Sequence, residues 1–257
     1  MEQKNQSKKK AAIIGIVTAM IVLVIGAIIA VSAVMNNKKE DNTPEKEISK
    51  DIIEAVKEYN SATIIKGDAN NGNIDEHVRG NANAKVLVVE YADLQCPGCA
   101  AMMPSVHSLY AEYGDEVLFV FRNFPINGHP NARPAATAAE AAGFQGYYWE
   151  MLETLYANRA DWYYAEGDER SQAFANLFKE IAPDGDVDKF KSDLGDPRIE
   201  KKIDFDYSLG RYVDEVKATP AFYVNGKAID ISTVETIGEV GELLKTEIQN
   251  AIESAKE

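Results

Sequence analysis

The chain has 257 residues, with 27 basic and 41 acidic side chains and a formal net charge of -14 at pH 7. This length suits one or two domains, and a composition of 46% hydrophobic and 26% charged residues excludes a largely disordered chain. The acidic balance argues against a surface that binds nucleic acid, because such binding needs clustered lysine and arginine. Two cysteines, Cys96 and Cys99, are too few for a disulfide framework.

Residues 11–35 form an apolar run with neither a charge nor a proline. As a helix that rises about 1.5 Å per residue, the run spans roughly 37 Å, enough to cross a hydrocarbon core of about 30 Å. Residues 1–10 carry Lys4, Lys8, Lys9 and Lys10 against one acid. The positive-inside rule therefore predicts a cytoplasmic basic tail at 1–10, a transmembrane signal-anchor at 11–35 and an extracytoplasmic remainder at the cell membrane. A cleaved signal peptide is the alternative, although its apolar core is usually only about 7–15 residues long.

Residues 36–60 are predicted to be a linker that ends in a short amphipathic helix. The stretch NNKKEDNTPEKE at 36–47 is polar and contains a proline. From residue 48 to residue 59, apolar side chains recur at a helical spacing.

The globular domain, residues 61–257, is predicted to have a helical block between two sheet-forming parts. Strands at 85–91 and 117–124 flank a helix that begins at Pro97, which is the length of a parallel strand–helix–strand unit. Helical patterns then fill about 130–215.

The end of the chain is predicted to form a hairpin and a last helix. Asn225-Gly226 is the strongest short hairpin signal, and apolar stretches stand on both sides of it. Ser232 and Glu235 have the spacing of a capping box that opens the last helix.

Cys96-Pro97-Gly98-Cys99 stands where a predicted strand leads into a predicted helix. The unpartnered N–H groups and positive dipole of a helix N-terminus stabilise a thiolate at Cys96 and lower its pKa. Pro97 suits the first helical position, where a missing N–H costs nothing. We expect Cys96 to be exposed at the helix tip and Cys99 to point inward. This arrangement provides a reversible dithiol–disulfide pair.

Half of a zinc site is the alternative for the two cysteines. A closed zinc site needs four ligands, so two of His77, His107 and His129 would have to converge on the cysteines. None of these histidines has the spacing of a ligand pair, and each is predicted to be a surface or packing residue.

Residues 61–257 resemble the DsbA-like branch of the thioredoxin superfamily. The segment VVEYADLQCPGC resembles the family's strand leading into the active-site helix, and Pro104 matches a proline within that helix. The run FRNFPINGHPNARPAATAAEAAGFQGYYWEM resembles the corresponding stretch of bacterial members. The resemblance implies an α/β thioredoxin fold with an inserted helical domain at about 130–215.

The resemblance also implies the roles of the site residues. Cys96 and Cys99 would be the catalytic couple. Glu90 matches a buried acid below the disulfide, and it would accept or relay the proton of Cys99 because burial raises the pKa of a carboxyl group. A solvated glutamate on an edge strand is the alternative for Glu90.

Ala218-Thr219-Pro220-Ala221-Phe222 resembles the family's cis-proline loop. A cis Pro220 would present the backbone of Thr219 near the sulfurs, where substrate could pair as an extra strand. Gly98 departs from the family, because the best-known oxidases carry a histidine there. Glycine supplies no side-chain donor, so we expect a less oxidising couple.

The predicted function is that of an extracytoplasmic thiol–disulfide oxidoreductase that forms disulfides in exported cysteine-containing proteins. It would need no cofactor besides its own Cys96–Cys99 disulfide, and the family implies reoxidation by a quinone-linked membrane partner. A reductase or isomerase with the same site is one alternative. The others are a membrane-tethered metal-binding module using the reduced cysteines, and a tethered binding protein on a thioredoxin-like scaffold.

Overall fold

The computed structural model describes residues 47–256. The predicted basic tail, the predicted signal-anchor at 11–35 and most of the predicted linker lie outside the described residues. Across 47–256, every helix is too short or too polar to cross a membrane.

The described residues form one mixed β-sheet with helices on both faces. The strands are β1 (Val78–Gly80), β2 (Val86–Ala92), β3 (Val117–Asn123), β4 (Ala221–Val224) and β5 (Lys227–Ala228). The α-helices are α1 (Lys50–Ala55), α2 (Pro97–Tyr113), α3 (Ala132–Gly143), α4 (Tyr148–Ala157), α5 (Arg159–Trp162), α6 (Gly167–Ile181), α7 (Val187–Asp193), α8 (Pro197–Tyr212) and α9 (Ile237–Ser254). Short 3-10 turns cover Val56–Glu58 and Ile231–Thr233.

The strand order is β1-β3-β2-β4-β5, with β2 at the centre. Strands β2 and β3 are parallel, which confirms the predicted strand–helix–strand unit, and the other neighbouring pairs are antiparallel. The carboxyl ends of parallel strands meet at one edge of a sheet. The N–H of Phe124 accordingly donates to the carbonyl of Ala92 at 2.8 Å, so the segments that follow β2 and β3 start side by side.

Alternation along β2 decides which of its residues face the helix that carries the cysteines. Val88 and Ala92 belong to the same core as α2, α9 and the inserted helices. Val89 and Tyr91 belong to a second core, on the opposite face of the sheet, with α1 and α8. Because successive strand residues point to opposite faces, Glu90 lies on the face of α2.

The predicted helical insertion is present, since α3 to α8 follow one another between β3 and β4. A buried polar cluster attaches this insertion to the carboxyl end of β3. Asn123 donates from Nδ2 to Glu140 Oε1 of α3 at 2.8 Å and to Asp206 Oδ2 of α8 at 3.1 Å. Lys202 Nζ donates to the other Asp206 oxygen at 2.5 Å. Buried polar groups are costly unless paired, so the cluster holds the insertion beside the edge of the sheet where β2 ends.

The hairpin prediction is confirmed at Asn225-Gly226, where both residues have positive φ, 48° and 80°, as a two-residue hairpin turn of type I′ requires. The capping-box prediction is wrong by four residues. Ser232 lies in a 3-10 turn and its N–H donates to Asp230, whereas Thr236 and Glu239 form the box that opens α9. Ser232/Glu235 and Thr236/Glu239 have the same spacing, so spacing alone cannot distinguish them. The regular recurrence of apolar residues along the helix starts only after Thr236.

Candidate active site

The two cysteines lie at the N-terminus of α2. Cys96 is the N-cap residue and Pro97 the first helical residue, while Cys99 lies in the first turn. Both are free thiols, so the structure describes the dithiol form of the pair. The Cys96 carbonyl already accepts the first helical hydrogen bond, from the N–H of Ala100 at 3.1 Å.

Cys96 is more buried than the sequence predicted. It is 7% exposed and Cys99 is 1% exposed, so only the inward position of Cys99 agrees with expectation. The loop before β4 covers Cys96, because the Cys96 sulfur lies 3.5 Å from the Thr219 carbonyl oxygen, which accepts the S–H of the protonated thiol. The Thr219-Pro220 peptide bond in this loop is cis, as expected.

Hydrogen bonds lower the pKa of Cys96 to about 5. The hydrogen bond from the Cys99 thiol has the largest effect, and burial of Cys96 opposes it. The backbone N–H groups of Cys99 and Gly98 lower the pKa further. The helix terminus thus contributes as predicted, but the second cysteine contributes more.

The pKa of Cys99 moves in the opposite direction, well above its ordinary value. Burial is the largest cause, followed by the hydrogen bond with Cys96 and the charge of Cys96. A thiolate at Cys96 therefore coexists with a protonated Cys99. This asymmetry separates an attacking or leaving sulfur from a resolving sulfur.

Glu90 lies in the central strand, where it is 5% exposed, so the alternative of a solvated edge-strand glutamate is excluded. Phe121 and Phe222 are its partners in the two neighbouring strands. Its Oε2 atom is buried with no hydrogen-bond partner among the described residues. Burial raises the pKa of Glu90 to about 8. This carboxyl group is therefore mostly neutral below that pH and mostly ionised above it.

Gly98 packs under the cis-proline loop without filling the space there. A Cβ atom added at Gly98 would lie 3.6 Å from Pro220 Cδ and 3.7 Å from Cys96 Sγ, which are ordinary contact distances. The cis-proline loop and the turn from Cys96 to Cys99 (the cysteine turn) are therefore neighbours. Position 98 lies between them and has room for a Cβ atom.

Metal binding gains no support from the part of the chain that is described. Within 47–256, no group of three or more histidine, cysteine or acidic side chains is arranged to hold an ion. Each histidine faces a carboxylate instead: His77 contacts Glu140, His107 lies near Glu153, and His129 contacts Asp93.

The sequence reasoning missed Asp93, three residues before Cys96. Its side chain is buried, and it accepts hydrogen bonds from the N–H groups of Gln95 and Cys96 and from the ring of His129. His129, predicted to be a surface or packing residue, therefore lies one contact from the cysteine turn. The available signal was the topology, since Asp93 and His129 follow two parallel strands that end at the same edge.

A cavity of about 540 Å³ opens beside the cysteine turn. Gln95, His129, Tyr163 and Tyr164 are among its lining residues. Tyr164 is 88% exposed, and the ring of Tyr163 meets it edge to face. Tyr163 and Tyr164 therefore border this cavity, whereas Tyr156 is buried and its hydroxyl donates to the Asp93 carbonyl at 3.4 Å.

Curated relatives share part of this chain. A Na+/H+ antiporter NhaA of Salinispora arenicola is 37% identical over 153 residues, which are 59% of this chain and 22% of that protein. One from Salinispora tropica is 39% identical over 153 residues, again 59% of this chain and 22% of the relative. The chain thus spans less than a quarter of the length of these relatives.

Solved structures share the fold. BdbD from Bacillus subtilis, in its oxidised form, superimposes with a TM-score of 0.57 at 23% identity, covering 74% of this chain and 98% of that one. MdbA of Corynebacterium diphtheriae, named a thiol-disulfide oxidoreductase, gives a TM-score of 0.53 at 17% identity, covering 73% and 96%.

A family model described as thioredoxin matches residues 72–242. The match includes β1, the cysteine turn, the whole helical insertion and the cis-proline loop. Because it covers more than half of the sequence, the chain belongs to the thioredoxin family.

Proposed function

We propose that this protein is a thiol–disulfide oxidoreductase that uses Cys96 and Cys99 as its redox couple. One observation carries the proposal: a low-pKa Cys96 at a helix N-terminus stands beside a buried Cys99 whose pKa is raised. The names of the structures that share the fold also support thiol–disulfide exchange. Antiport is named for curated relatives that are much longer than this chain.

We propose that exchange proceeds through a mixed disulfide at Cys96. A substrate thiolate attacks the Cys96 sulfur of the oxidised pair, so a substrate–Cys96 bond forms while the Cys96–Cys99 bond breaks. Cys99 leaves with the electron pair and takes up a proton. A second substrate thiolate then attacks the substrate sulfur of the mixed disulfide, and Cys96 leaves as a thiolate. The substrate gains a disulfide and the enzyme becomes a dithiol.

Glu90 is proposed to exchange the proton of Cys99. Cys99 is expelled into a buried site, where its thiolate is costly, so it needs a nearby acid at that moment. A neutral Glu90 is such an acid up to about pH 8, and its ionised form serves as the base in the reverse direction.

We propose that the enzyme oxidises its substrates. The hydrogen bonds that lower the pKa of Cys96 stabilise the reduced enzyme, and a stabilised reduced form makes the couple a stronger oxidant. Gly98 contributes no side-chain donor to that effect. Exported cysteine-containing proteins are the proposed substrates, and reductase or isomerase activity at the same site is the alternative.

The first prediction concerns the two sulfurs. The full chain is expected to reoxidise reduced ribonuclease A in a glutathione buffer, and Cys96→Ser should lower this activity at least 100-fold, because the Cys96–Cys99 disulfide that the substrate attacks cannot form. Cys99→Ser is expected to accumulate a one-to-one covalent adduct with a disulfide-containing peptide that dithiothreitol reverses. Full activity in Cys96→Ser would contradict the proposal and favour a binding module. Stoichiometric zinc binding without turnover would favour the metal module.

A second prediction concerns the hydrogen bond between the cysteines. Thiolate absorbance of the wild-type dithiol is expected to titrate at Cys96 with a pKa of about 5. Cys99→Ala should raise this pKa by about one unit, since a hydrogen bond to a charged group contributes roughly 1.5–3 kcal/mol and other donors remain. Cys99→Ser keeps an O–H donor and serves as the matched control. A Cys99→Ala variant with the wild-type Cys96 pKa would show that the second cysteine does not stabilise the thiolate.

The same shift makes the stability of the dithiol form depend on pH. The folded pKa, about 5, lies below the ordinary value of 9.0. The contribution of the thiolate to the free energy of unfolding is therefore complete above pH 9 and is lost as the pH falls through about 5.

A third prediction tests Glu90 as a proton carrier. Glu90→Gln is expected to slow substrate oxidation by about 10- to 100-fold below pH 8, where the wild-type carboxyl group is protonated and can donate. Above pH 8 the difference should shrink, because the wild-type group is then ionised. The measurement is the pH profile of kcat for both proteins. A pH-independent loss would indicate a packing role only.

Stability measurements on the same pair provide the control. The unfolded carboxyl group ionises near 4.5, whereas the folded one holds its proton to about 8. The free energy of unfolding of the wild type is therefore expected to fall between these pH values relative to Glu90→Gln, by up to about 4 kcal/mol.

We propose that residues 11–35 anchor the protein in the cell membrane, with residues 1–10 in the cytoplasm and the catalytic domain outside. The uncharged apolar run and the preceding lysines support this. A quinone-linked membrane protein is the proposed reoxidant, and the anchor would raise its effective concentration near Cys96.

The fourth prediction tests the anchor. The full chain is expected to stay with the membrane fraction after carbonate washing, and external protease should degrade the domain that contains Cys96. A variant with Val22→Arg and Val24→Arg in the middle of the run should lose membrane insertion, because each arginine costs about 2.5–3.5 kcal/mol there. Recovery of the unaltered chain in the washed soluble fraction would contradict the anchor, and a shortened N-terminus would indicate a cleaved signal peptide.

A further inference from the structure

We propose that Asp93 and His129 form a positioning pair that holds the Cys96 turn against the segment leading into the helical insertion, and thereby sets the reactivity of Cys96. The inference rests on the proposed function, since it assigns these residues to the same exchange site. The pair acts through Cys96, so both members are positioning residues rather than catalytic ones.

One carboxylate oxygen of Asp93 fixes the backbone that leads to Cys96. Asp93 Oδ1 accepts hydrogen bonds from the N–H of Gln95 at 2.7 Å and from the N–H of Cys96 at 3.2 Å. The Asp93 carbonyl also accepts the N–H of Cys96, at 3.0 Å. An aspartate that bonds backbone N–H groups two and three residues onward builds a defined turn. Here that turn ends on the residue whose sulfur reacts.

The other oxygen reaches the segment that follows β3. Asp93 Oδ2 accepts hydrogen bonds from the N–H of Ile126 at 2.8 Å and from Nδ1 of His129 at 2.7 Å. Asp93 is 2% exposed, so its charge is stabilised by these donors rather than by water. One buried carboxylate therefore ties the cysteine turn to the segment that opens the insertion.

Gln95 makes a second link between the same turn and the insertion. Its Oε1 accepts the N–H of Asn131 at 2.6 Å and its Nε2 donates to the Tyr163 carbonyl at 3.0 Å. Arg159 donates to the Gln95 carbonyl at 2.5 Å. Asp93 and Gln95 are thus both hydrogen-bonded to the insertion or to the segment that leads into it. The position of Cys96 therefore depends on the insertion.

This position matters for the chemistry at Cys96. The thiolate is stabilised by groups at fixed places, which include the Cys99 thiol and the first N–H groups of α2. Hydrogen bonds depend steeply on distance and angle. A Cys96 backbone that is free to move would lose part of these contacts without any change in the residues that make them.

The chain offers variants that separate the two sides of the pair. Asp93→Asn keeps an oxygen for the N–H groups of the turn, but it places an amide donor against Ile126 and His129. His129→Ala removes the donor at 129, whereas His129→Asn puts an amide N–H where Nδ1 stands. His107→Ala is the control, because His107 lies exposed on α2 and contacts Glu153 rather than Asp93.

The experiment measures the peptide-oxidation rate, the Cys96 pKa and the rate at which iodoacetamide alkylates Cys96. Asp93→Asn and His129→Ala are each expected to lower kcat/KM about tenfold and to raise the Cys96 pKa by about one unit, because a Cys96 that is held less firmly loses part of the hydrogen bonding to its thiolate. His129→Asn should recover to within about threefold of the wild type, and His107→Ala should match it. The double variant Asp93→Asn with His129→Ala should be no worse than either single variant, as expected for two members of one interaction.

Wild-type pKa and alkylation rates in folded Asp93→Asn and His129→Ala would overturn the inference. The inference would also be overturned if the losses of activity only paralleled losses of stability in urea and His129→Asn did not restore activity. Alkylation and the Cys96 pKa need no protein substrate, so they decide the question even where the wild type shows no oxidation. A wild type without oxidation activity would count against the proposed function. An active wild type whose variants keep the same Cys96 pKa and alkylation rate would count only against the positioning pair.

Discussion

Only three residues separate the end of β2 at Ala92 from Cys96, the N-cap of α2, and the rest of the site depends on this short junction at the carboxyl edge of the sheet. The short connection places one sulfur at the end of the helix and the other one turn inside it. Desolvation then raises the pKa of the inner thiol, while the inner thiol and the helix terminus lower the pKa of the outer one. The two cysteines are chemically identical in the sequence, and their different tasks follow from where the helix starts.

The same edge collects the residues that support the sulfurs. Strand β3 runs parallel to β2, so the segment after it arrives beside the cysteine turn and begins the insertion there. Strand β4 pairs on the other side of β2, and the loop before it brings Thr219 over Cys96. Glu90 lies in β2 itself, below the turn and between phenylalanines of both neighbouring strands. A central strand with a partner on each side is what brings the segment after β3 to Asp93 and the loop before β4 to Cys96.

Features encoded by local pattern could be predicted from the sequence. The valine-rich strand, the proline at the helix start and the Asn-Gly hairpin each depend on neighbours a few residues away. The cis Pro220 came only from the resemblance, because nothing local separates it from a trans proline. Features that depend on distant contacts were missed or misjudged. Asp93 and His129 are 36 residues apart, the cover over Cys96 comes from a loop 123 residues away, and the three-residue β1 is too short to show a period.

The space at Gly98, between the cis-proline loop and the Cys96 sulfur, is large enough for a Cβ atom. An added Cβ would meet its neighbours at ordinary distances, so the backbone does not demand glycine there. Side chains at this point would face the Cys96 sulfur directly, and donors or charges among them would change the balance between thiolate and disulfide. The oxidising strength of this scaffold can therefore change through one residue while the helix, the sheet and the loop stay as they are. Position 98 is therefore a place where a substitution can act on the Cys96 sulfur without a demand on the backbone.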